Sequence, residues 1–404
     1  MTAKQRKEAL PPLKGLRVLD LTRYVAGPHC TQLLAEFGAD VVKIERPKRG
    51  EDFRGMQPTW NGESLLFLTL NRNKRSITID FACEQGRELV KKLAAKADIL
   101  IENFRPGTME KHGLSWETLH AINPRLIMAR ASGFGQSGPY AKRPAYDVIG
   151  QALGGLMHMT GSQDGQPTMT GTVVVDYSTA LYVTIGVMMA LRSRDQTGVG
   201  QLVEGSLLGS AVSLLMGWIP EYAMLGHEAR RRGNRDKYSV PANSFRTRDG
   251  KWIHIQTYTD KQFANLAQGI DRPELASDPS YATYSERFKL VDEVEQLVSK
   301  WIEQHSREEA RQMLENADVP HASISTIEDV FDDPQVRHCQ LITEVEHPGG
   351  QKVPVQSTPI KLSETPPLCR GRVPGIGQHT DEVLAEWLQL TEQRIDELRA
   401  GNVL

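Results

Sequence analysis

Cysteine is scarce in this 404-residue chain: Cys30, Cys83, Cys339 and Cys369 lie far apart and share no CxxC spacing. That excludes a disulfide framework and a thiolate metal cluster, and it predicts reduced thiols in a cytoplasmic protein. A surplus of one charge is lacking too. Forty-eight Lys and Arg face fifty Asp and Glu, a formal net charge of −2, so composition argues for neither nucleic acid nor an anionic membrane as partner. No uninterrupted apolar run reaches about 18 residues, so no membrane span is expected. The eleven histidines form no HxxxH or HxH pair, and no metal site is predicted. There is no GxSxG, no P-loop, no internal repeat and no low-complexity segment. The first fourteen residues mix Lys, Arg and Glu around Pro11-Pro12 and read as a loose arm, not a signal peptide.

What is there is alternation. From Gly15 to about Ser132, strand-like runs (Leu16–Leu21, Val41–Ile44, Ser76–Asp80, Asp98–Glu102, Leu126–Arg130) alternate with helical ones (Gly27–Phe37, Gln85–Lys96). This predicts an α/β fold with a mainly parallel sheet covered on both faces. Helices are expected from Asp147 to Leu225. The character shifts at Arg230-Arg-Arg-Gly-Asn-Arg235. Asn243–Arg248 and Trp252–Thr257, joined at Asp249-Gly250, read as a hairpin. Charged helices follow from Asp260 to Asn316, then a strand over Val353–Lys361 and a closing helix over Asp381–Ala400. The expected division is a large domain over 1–227, a smaller α+β domain over 228–328, and a segment over 329–404 that returns to the first.

Three motifs compete for a functional role. Gly133-Phe-Gly-Gln-Ser-Gly138 fits GxGxxG after a strand, but Pro139, Tyr140 and Pro144 prevent a helix from opening at once. No strand-ending acid follows at the required distance, so it is read as a flexible loop and not a dinucleotide site. Basic residues follow strands at Arg46, Lys74-Arg75, Arg105 and Lys111. Loops at the carboxyl ends of parallel strands form the ligand crevice, and several cations there suit a ligand with multiple phosphates. Each one alone also fits ordinary solvated charge. His379, in Gly375-Ile-Gly-Gln-His-Thr-Asp381 ahead of a helix that Thr380 or Asp381 can cap, reads as structural. Asp176 follows a β-branched run and precedes a helical stretch, Thr179–Arg194. It is either a helix cap meeting the positive end of the helix dipole or a carboxylate nucleophile at the mouth of a pocket.

The order of motifs bears on that choice. Gly15-Leu-Arg-Val-Leu-Asp-Leu21, Ala26-Gly-Pro28, Phe37-Gly-Ala-Asp-Val-Val-Lys-Ile-Glu-Arg-Pro47, Asn73-Lys-Arg-Ser76 and Glu102-Asn-Phe-Arg-Pro-Gly107 come first. Gly133-Phe-Gly-Gln-Ser-Gly-Pro139, Asp176 and Gly375-Ile-Gly-Gln-His-Thr-Asp-Glu-Val383 follow. Together they resemble the class III coenzyme A transferases from about Gly15 to the C-terminus. The resemblance implies a Rossmann-like large domain with an inserted small domain, a returning C-terminal tail and an interlocked homodimer. It implies no tightly bound cofactor and no metal, with the coenzyme A thioester as substrate. It places the family's nucleophile on Asp176. Its coenzyme A contacts fall on Val25, Ala26, Arg46, Asn103, Phe104, Arg105 and Lys111, and by looser loop alignment on Lys74, Arg75, Ile79, Arg143 and Tyr146.

Within that resemblance, Asp176 attacks an acyl-CoA thioester, forms a mixed anhydride and is then converted to an aspartyl-CoA thioester, which keeps the thioester's energy in covalent form. Loops near Gly133–Gly138 and Gly233 are candidate covers against water. The formyl-CoA branch carries a run of glycines where this chain has Gly233-Asn-Arg-Asp-Lys-Tyr238, which argues against formyl or oxalate. Racemases of 2-methylacyl-CoA share the fold and use a histidine in a Gly-His-Asp context; Ala145-Tyr146-Asp147 stands there, and tyrosine, with a pKa of about 10, is a poor base. The texture is most similar to the branch acting on succinyl-CoA and dicarboxylic acids such as malate, citramalate or itaconate. Arg235, Lys237 and Arg246 are candidate partners for a distal carboxylate.

Overall fold

A computed structural model describes residues 10–368 and 371–404; the first nine residues, Cys369 and Arg370 lie outside the described residues. Among those described, six parallel strands build the central sheet. They are Arg17–Asp20 (β1), Asp40–Glu45 (β2), Arg75–Thr78 (β3), Ile99–Glu102 (β4), Ile127–Ser132 (β5) and Leu202–Ser206 (β6). Their spatial order is β3-β2-β1-β4-β5-β6. The order reverses between β1 and β4, and in such sheets the ligand crevice opens outside the carboxyl ends at the reversal.

Neighbouring residues on each strand point to opposite faces, and here both faces are apolar. Leu19, Val42, Leu100 and Met128 enter one core cluster; Val18, Val41, Ile99 and Ile127 enter the other. A sheet apolar on both sides needs helices on both. The helices concerned are Ala26–Glu36 (α1), Glu84–Ala94 (α2), Asp147–Leu153 (α3), Val174–Thr197 (α4), Thr380–Leu388 (α5) and Glu392–Ala400 (α6). α1 and α4 cover one face; α2, α5 and α6 cover the other. Val383, Leu384, Trp387, Ile395, Leu398 and Val403 all enter the core beside α2, and the N–H of Asp80 donates to the Val403 carbonyl at 2.8 Å.

Packing divides the described chain into two units. One comprises 10–156, 169–220 and 337–404; the other comprises 157–168 and 221–336. The smaller unit therefore starts and ends outside the expected 228–328 and takes in a strap, 157–168, from earlier in the chain. It holds an antiparallel sheet of Ala242–Arg246 (β7), Trp252–Gln256 (β8) and His321–Ser323 (β9), in the order β9-β8-β7. Asp249-Gly250 makes the expected hairpin turn, with Gly250 at φ +77°. The unit has its own core, including Phe245, Ile253, Phe263, Val298 and Leu314.

Several local expectations change. β6 falls inside the stretch read as helical; with Glu204 and Gly205 its five residues carry little strand signal. β9 is only three residues long. The strand expected over Val353–Lys361 is Lys352–Gln356 (β11), paired with Ile342–Glu346 (β10). The closing helix is two helices, broken at Gln389 with φ +55°. α4 starts five residues earlier than expected. By length and composition it is apolar enough to cross a membrane, with a mean hydropathy of 1.5 in its most apolar window. It contains Asp176, Ser178, Thr179 and Thr184, so no uninterrupted apolar run marks it. Its Ala180, Val183, Val187, Ala190 and Leu191 pack on the sheet.

Candidate active site

Two loops meet at the reversal point. After β1, Arg23, Tyr24, Val25 and Ala26 line a pocket; after β4, Asn103, Phe104, Arg105 and Pro106 line its other side. Asn103 joins them: its Oδ1 accepts from the Arg23 N–H at 2.8 Å and its Nδ2 donates to the Arg23 carbonyl at 2.7 Å. The Arg23 guanidinium lies 4.8 Å from the centre of the Phe104 ring and donates to Asp52 at 3.0 Å. The wall continues through Ala131–Gly133 at the end of β5, Arg143, Ala145 and Tyr146 before α3, and Asp176, Thr179 and Leu207.

Asp176 is not the helix cap. α4 begins at Val174, its N-cap is Val173, and Asp176 is the third helical residue. The cap comes from elsewhere. Asp147, buried at the start of α3, accepts the N–H groups of Val175 and Asp176 on Oδ2, at 2.7 and 2.9 Å. Its other oxygen accepts from the Gln151 amide, and Gln151 Oε1 accepts the Thr170 N–H at 3.0 Å. Asp147 thus satisfies orphan donors of the helix start and leaves the Asp176 side chain free to face the pocket. Burial, and then the Asp147 charge, push the Asp176 carboxyl up to about 7. The same desolvation that raises the carboxyl makes its anionic form a reactive nucleophile. The cavity is about 210 Å³, below the ~300–1,000 Å³ of pockets that enclose a whole drug-sized ligand. It suits the reacting end of a larger molecule.

Of the thirteen residues singled out by sequence, eight line this pocket: Val25, Ala26, Asn103, Phe104, Arg105, Arg143, Tyr146 and Asp176. Arg46 and Lys111 do not. The Arg46 guanidinium binds the Gly50 carbonyl at 3.2 Å and Asp52, and Lys111 is exposed at the end of a one-turn helix. Three others do not line this pocket either and are engaged within the fold. Lys74 is fully buried, and its ammonium donates to Asp20, the Pro28 carbonyl and Asn71 at 2.8–3.0 Å. All three of its protons are engaged, and burial lowers it to about 8. Arg75 opens β3, at the amino edge of the sheet and away from the crevice, and pairs with Asp40, Glu382 and Glu386. Ile79 is a core residue, 1% exposed. Lys74 belongs to a buried network: Asp20 lies 3.0 Å from Lys74, Lys43 lies 3.7 Å from Glu51, and Lys43 donates to the Thr22 carbonyl at 2.7 Å. Burial alone would raise Asp20, but Lys43 and Lys74 hold it well below the usual carboxylate range.

Two of the three expected partners of a distal carboxylate are engaged within their own unit. Arg235 binds Glu295 at 2.6 Å and Asp292 at 2.8 Å, and Lys237 binds Glu221; Arg246 is exposed. Gly133–Gly138 is a loop with no helix after it until α3. His379 is the N-cap of α5 without a side-chain cap, and its Nδ1 accepts the Ser76 N–H at 3.2 Å; neither Thr380 nor Asp381 caps the helix. Sequence reading missed Arg23, Tyr24 and the role of Asp147. The first two follow β1 directly, so extending the carboxyl-end rule to every residue of that loop finds them. Asp147 acts on a helix 29 positions away, and no local pattern reports that.

A parallel sheet with a crevice at its reversal point, and a buried carboxylate facing it from a helix start, fit covalent acyl transfer. The family model for "CoA-transferase family III" matches residues 13–380. The chain is 40% identical over 397 residues to the succinyl-CoA–L-malate CoA-transferase beta subunit of Chloroflexus aurantiacus, covering 97% of this chain and 98% of that one. It is 35% identical over 396 residues to the human succinyl-CoA:glutarate CoA-transferase, covering 98% and 90%. A crystal structure of a CAIB/BAIF family protein from Brucella suis superposes with a TM-score of 0.83 at 37% identity, covering 93% of this chain and 99% of that one. The chain belongs to CoA-transferase family III and is a class III CoA-transferase.

Proposed function

We propose that this enzyme moves coenzyme A from succinyl-CoA to a second dicarboxylic acid through covalent intermediates on Asp176. The observation that carries the reading is the Asp176 carboxylate itself, facing a pocket of the crevice with its backbone held by Asp147. The carboxylate attacks the thioester carbonyl, giving a mixed anhydride and the thiolate of coenzyme A. The thiolate attacks the Asp176 acyl carbon, giving an aspartyl thioester and the free donor acid. The acceptor carboxylate then attacks that thioester, forming a new anhydride and expelling the thiolate. Attack of the thiolate on the acceptor's acyl carbon completes the product and restores Asp176. Each step exchanges one acyl bond for another, so no water or redox partner is required. Oxyanions form when the thiolate or the acceptor carboxylate adds to the Asp176 acyl carbon, in the first turn of α4, where the helix dipole favours negative charge.

In this reading Asn103, Phe104, Arg105, Arg143 and Tyr146 contact the thioester or its coenzyme, with Val25 and Ala26 as the wall after β1. Arg46 and Lys111 belong to the more distant phosphate end. No tightly bound cofactor is required. The working form is a homodimer, interlocked as in the family. α4 supports a dimer: Leu181, Ile185, Met188 and Met189 form an exposed apolar stripe on it, wider than isolated surface residues require. The thiols of Cys30 and Cys83 suit a reducing cytoplasm. The test is a panel of acyl-CoA donors against free acids, read by mass spectrometry. New acyl-CoA products are expected, as is an Asp176 hydroxamate, formed when hydroxylamine displaces the acid or coenzyme A from the activated carboxyl; the reading fails when no acid accepts coenzyme A from any donor.

A further inference from the structure

Tyr24 is a pocket residue with a costly backbone. Its φ is +65°, and among the residues lining the pocket it alone lies in the left-handed region, which disfavours side-chain-bearing residues and is open to glycine. Three side chains from other segments keep the loop there. Glu51 Oε2 accepts the Tyr24 N–H at 3.1 Å, Asn103 binds both backbone groups of Arg23, and Lys43 donates to the Thr22 carbonyl at 2.7 Å. Glu51 and Lys43 are themselves buried and 3.7 Å apart. The ring is fixed as well. It meets Phe53 edge-on at 5.7 Å between ring centres and Tyr146 edge-on at 6.0 Å. A glycine at this position would relieve the backbone, yet a phenol stands there, in a cavity of only about 210 Å³ that also holds the Asp176 carboxylate. Strain kept in a binding wall points to use of the side chain that bears it.

We infer that Tyr24 is a specificity-determining residue: its ring is the wall that limits the acid carried on Asp176 to a short carbon chain. This rests on the CoA-transfer reading of the same pocket. Loop and ring are held from several sides, so the wall does not yield to a longer acid. The consequence is discrimination by length, and one methylene in an apolar pocket is worth about 10–200-fold.

The experiment compares kcat/KM for succinate and for adipate as acceptors from one common acyl-CoA donor, in the wild type, Tyr24→Phe and Tyr24→Gly. The wild type is expected to prefer succinate. That preference should fall at least tenfold in Tyr24→Gly and persist in Tyr24→Phe, which keeps the ring. A ratio measured within one enzyme does not depend on the fraction folded, and glycine suits the local backbone, so loss of stability cannot imitate the result. An unchanged ratio in Tyr24→Gly overturns the assignment, as does a wild type indifferent to length. Acid-quenched mass spectrometry of the Asp176 peptide, after mixing with acyl-CoA alone, separates the two failures. Acylated Asp176 with an unchanged ratio removes only the role of Tyr24; no acylation in the wild type takes down both.

Discussion

Asp147 Oδ2 accepts the backbone N–H of Asp176 at 2.9 Å. The group that holds the nucleophile in place is therefore also the charge that discourages it from ionising. Replacing Asp147 by Asn keeps an acceptor oxygen and removes the charge. The pH profile of Asp176 acylation should move to lower pH from its wild-type midpoint of about 7, without reaching an ordinary carboxylate value, because burial is the larger cause. Asp147→Ala removes the acceptor as well and should cost about 0.5–2 kcal/mol of unfolding free energy, the usual worth of a cap. An acylation profile unmoved in Asp147→Asn would refute the coupling.

Asp176→Asn should abolish coenzyme A transfer and still improve stability on the alkaline side. A carboxyl raised in the folded state contributes stability fully below its unfolded value of 3.8 and loses it as pH rises through about 7. Asn has no proton to lose. Thermal midpoints of wild type and variant should agree near pH 4 and diverge with rising pH, the variant being the more stable at pH 8. Parallel curves would show that the carboxyl is not perturbed.

Lys74 and Arg105 should separate cleanly. Lys74→Met leaves the buried Asp20 carboxylate with one lysine fewer, and breaking such a pair costs about 3–5 kcal/mol; the folded fraction should keep its KM for acyl-CoA. Arg105 is exposed in the pocket wall. Arg105→Ala should raise that KM by about 10–100-fold, the worth of a charge-assisted hydrogen bond of about 1.5–3 kcal/mol, with a smaller effect at high salt. A raised KM in Lys74→Met, measured on folded protein, would contradict its internal role.

These contrasts show what a sequence carries and what it does not. Strands such as Val41–Ile44 announce themselves because a sheet buried on both faces needs continuous apolar runs. β6, with Glu204 and Gly205 in five residues, has no such run and takes its strand form from pairing with β5. Loop residues at carboxyl ends were found by rule. Lys74 and Arg75 share that composition but stand at the start of a strand, Lys74 just before β3 and Arg75 as its first residue, and their internal ion pairs decide their role. Asp147 and Asp176 meet only because α3 packs on α4, a relation between segments that no spacing along the chain encodes.

The dimer has a direct check. Wild-type protein should sediment at twice the chain mass, and Ile185→Asp, which places a charge in the exposed stripe of α4, should lower that value or drive aggregation. A wild type that sediments as a monomer would leave the stripe without the proposed cover.

The contact between Asp80 and Val403 bears on how the protein is made. The sheet begins at Arg17, yet one of its faces is sealed by Trp387, Ile395, Leu398 and Val403. On the ribosome, the first five strands emerge long before those residues exist, and they wait with an open apolar face. The smaller unit, with a core of its own, can fold during that interval. Synthesis thus allows the inserted part to mature before its host, whose open apolar face is the kind of surface that favours aggregation.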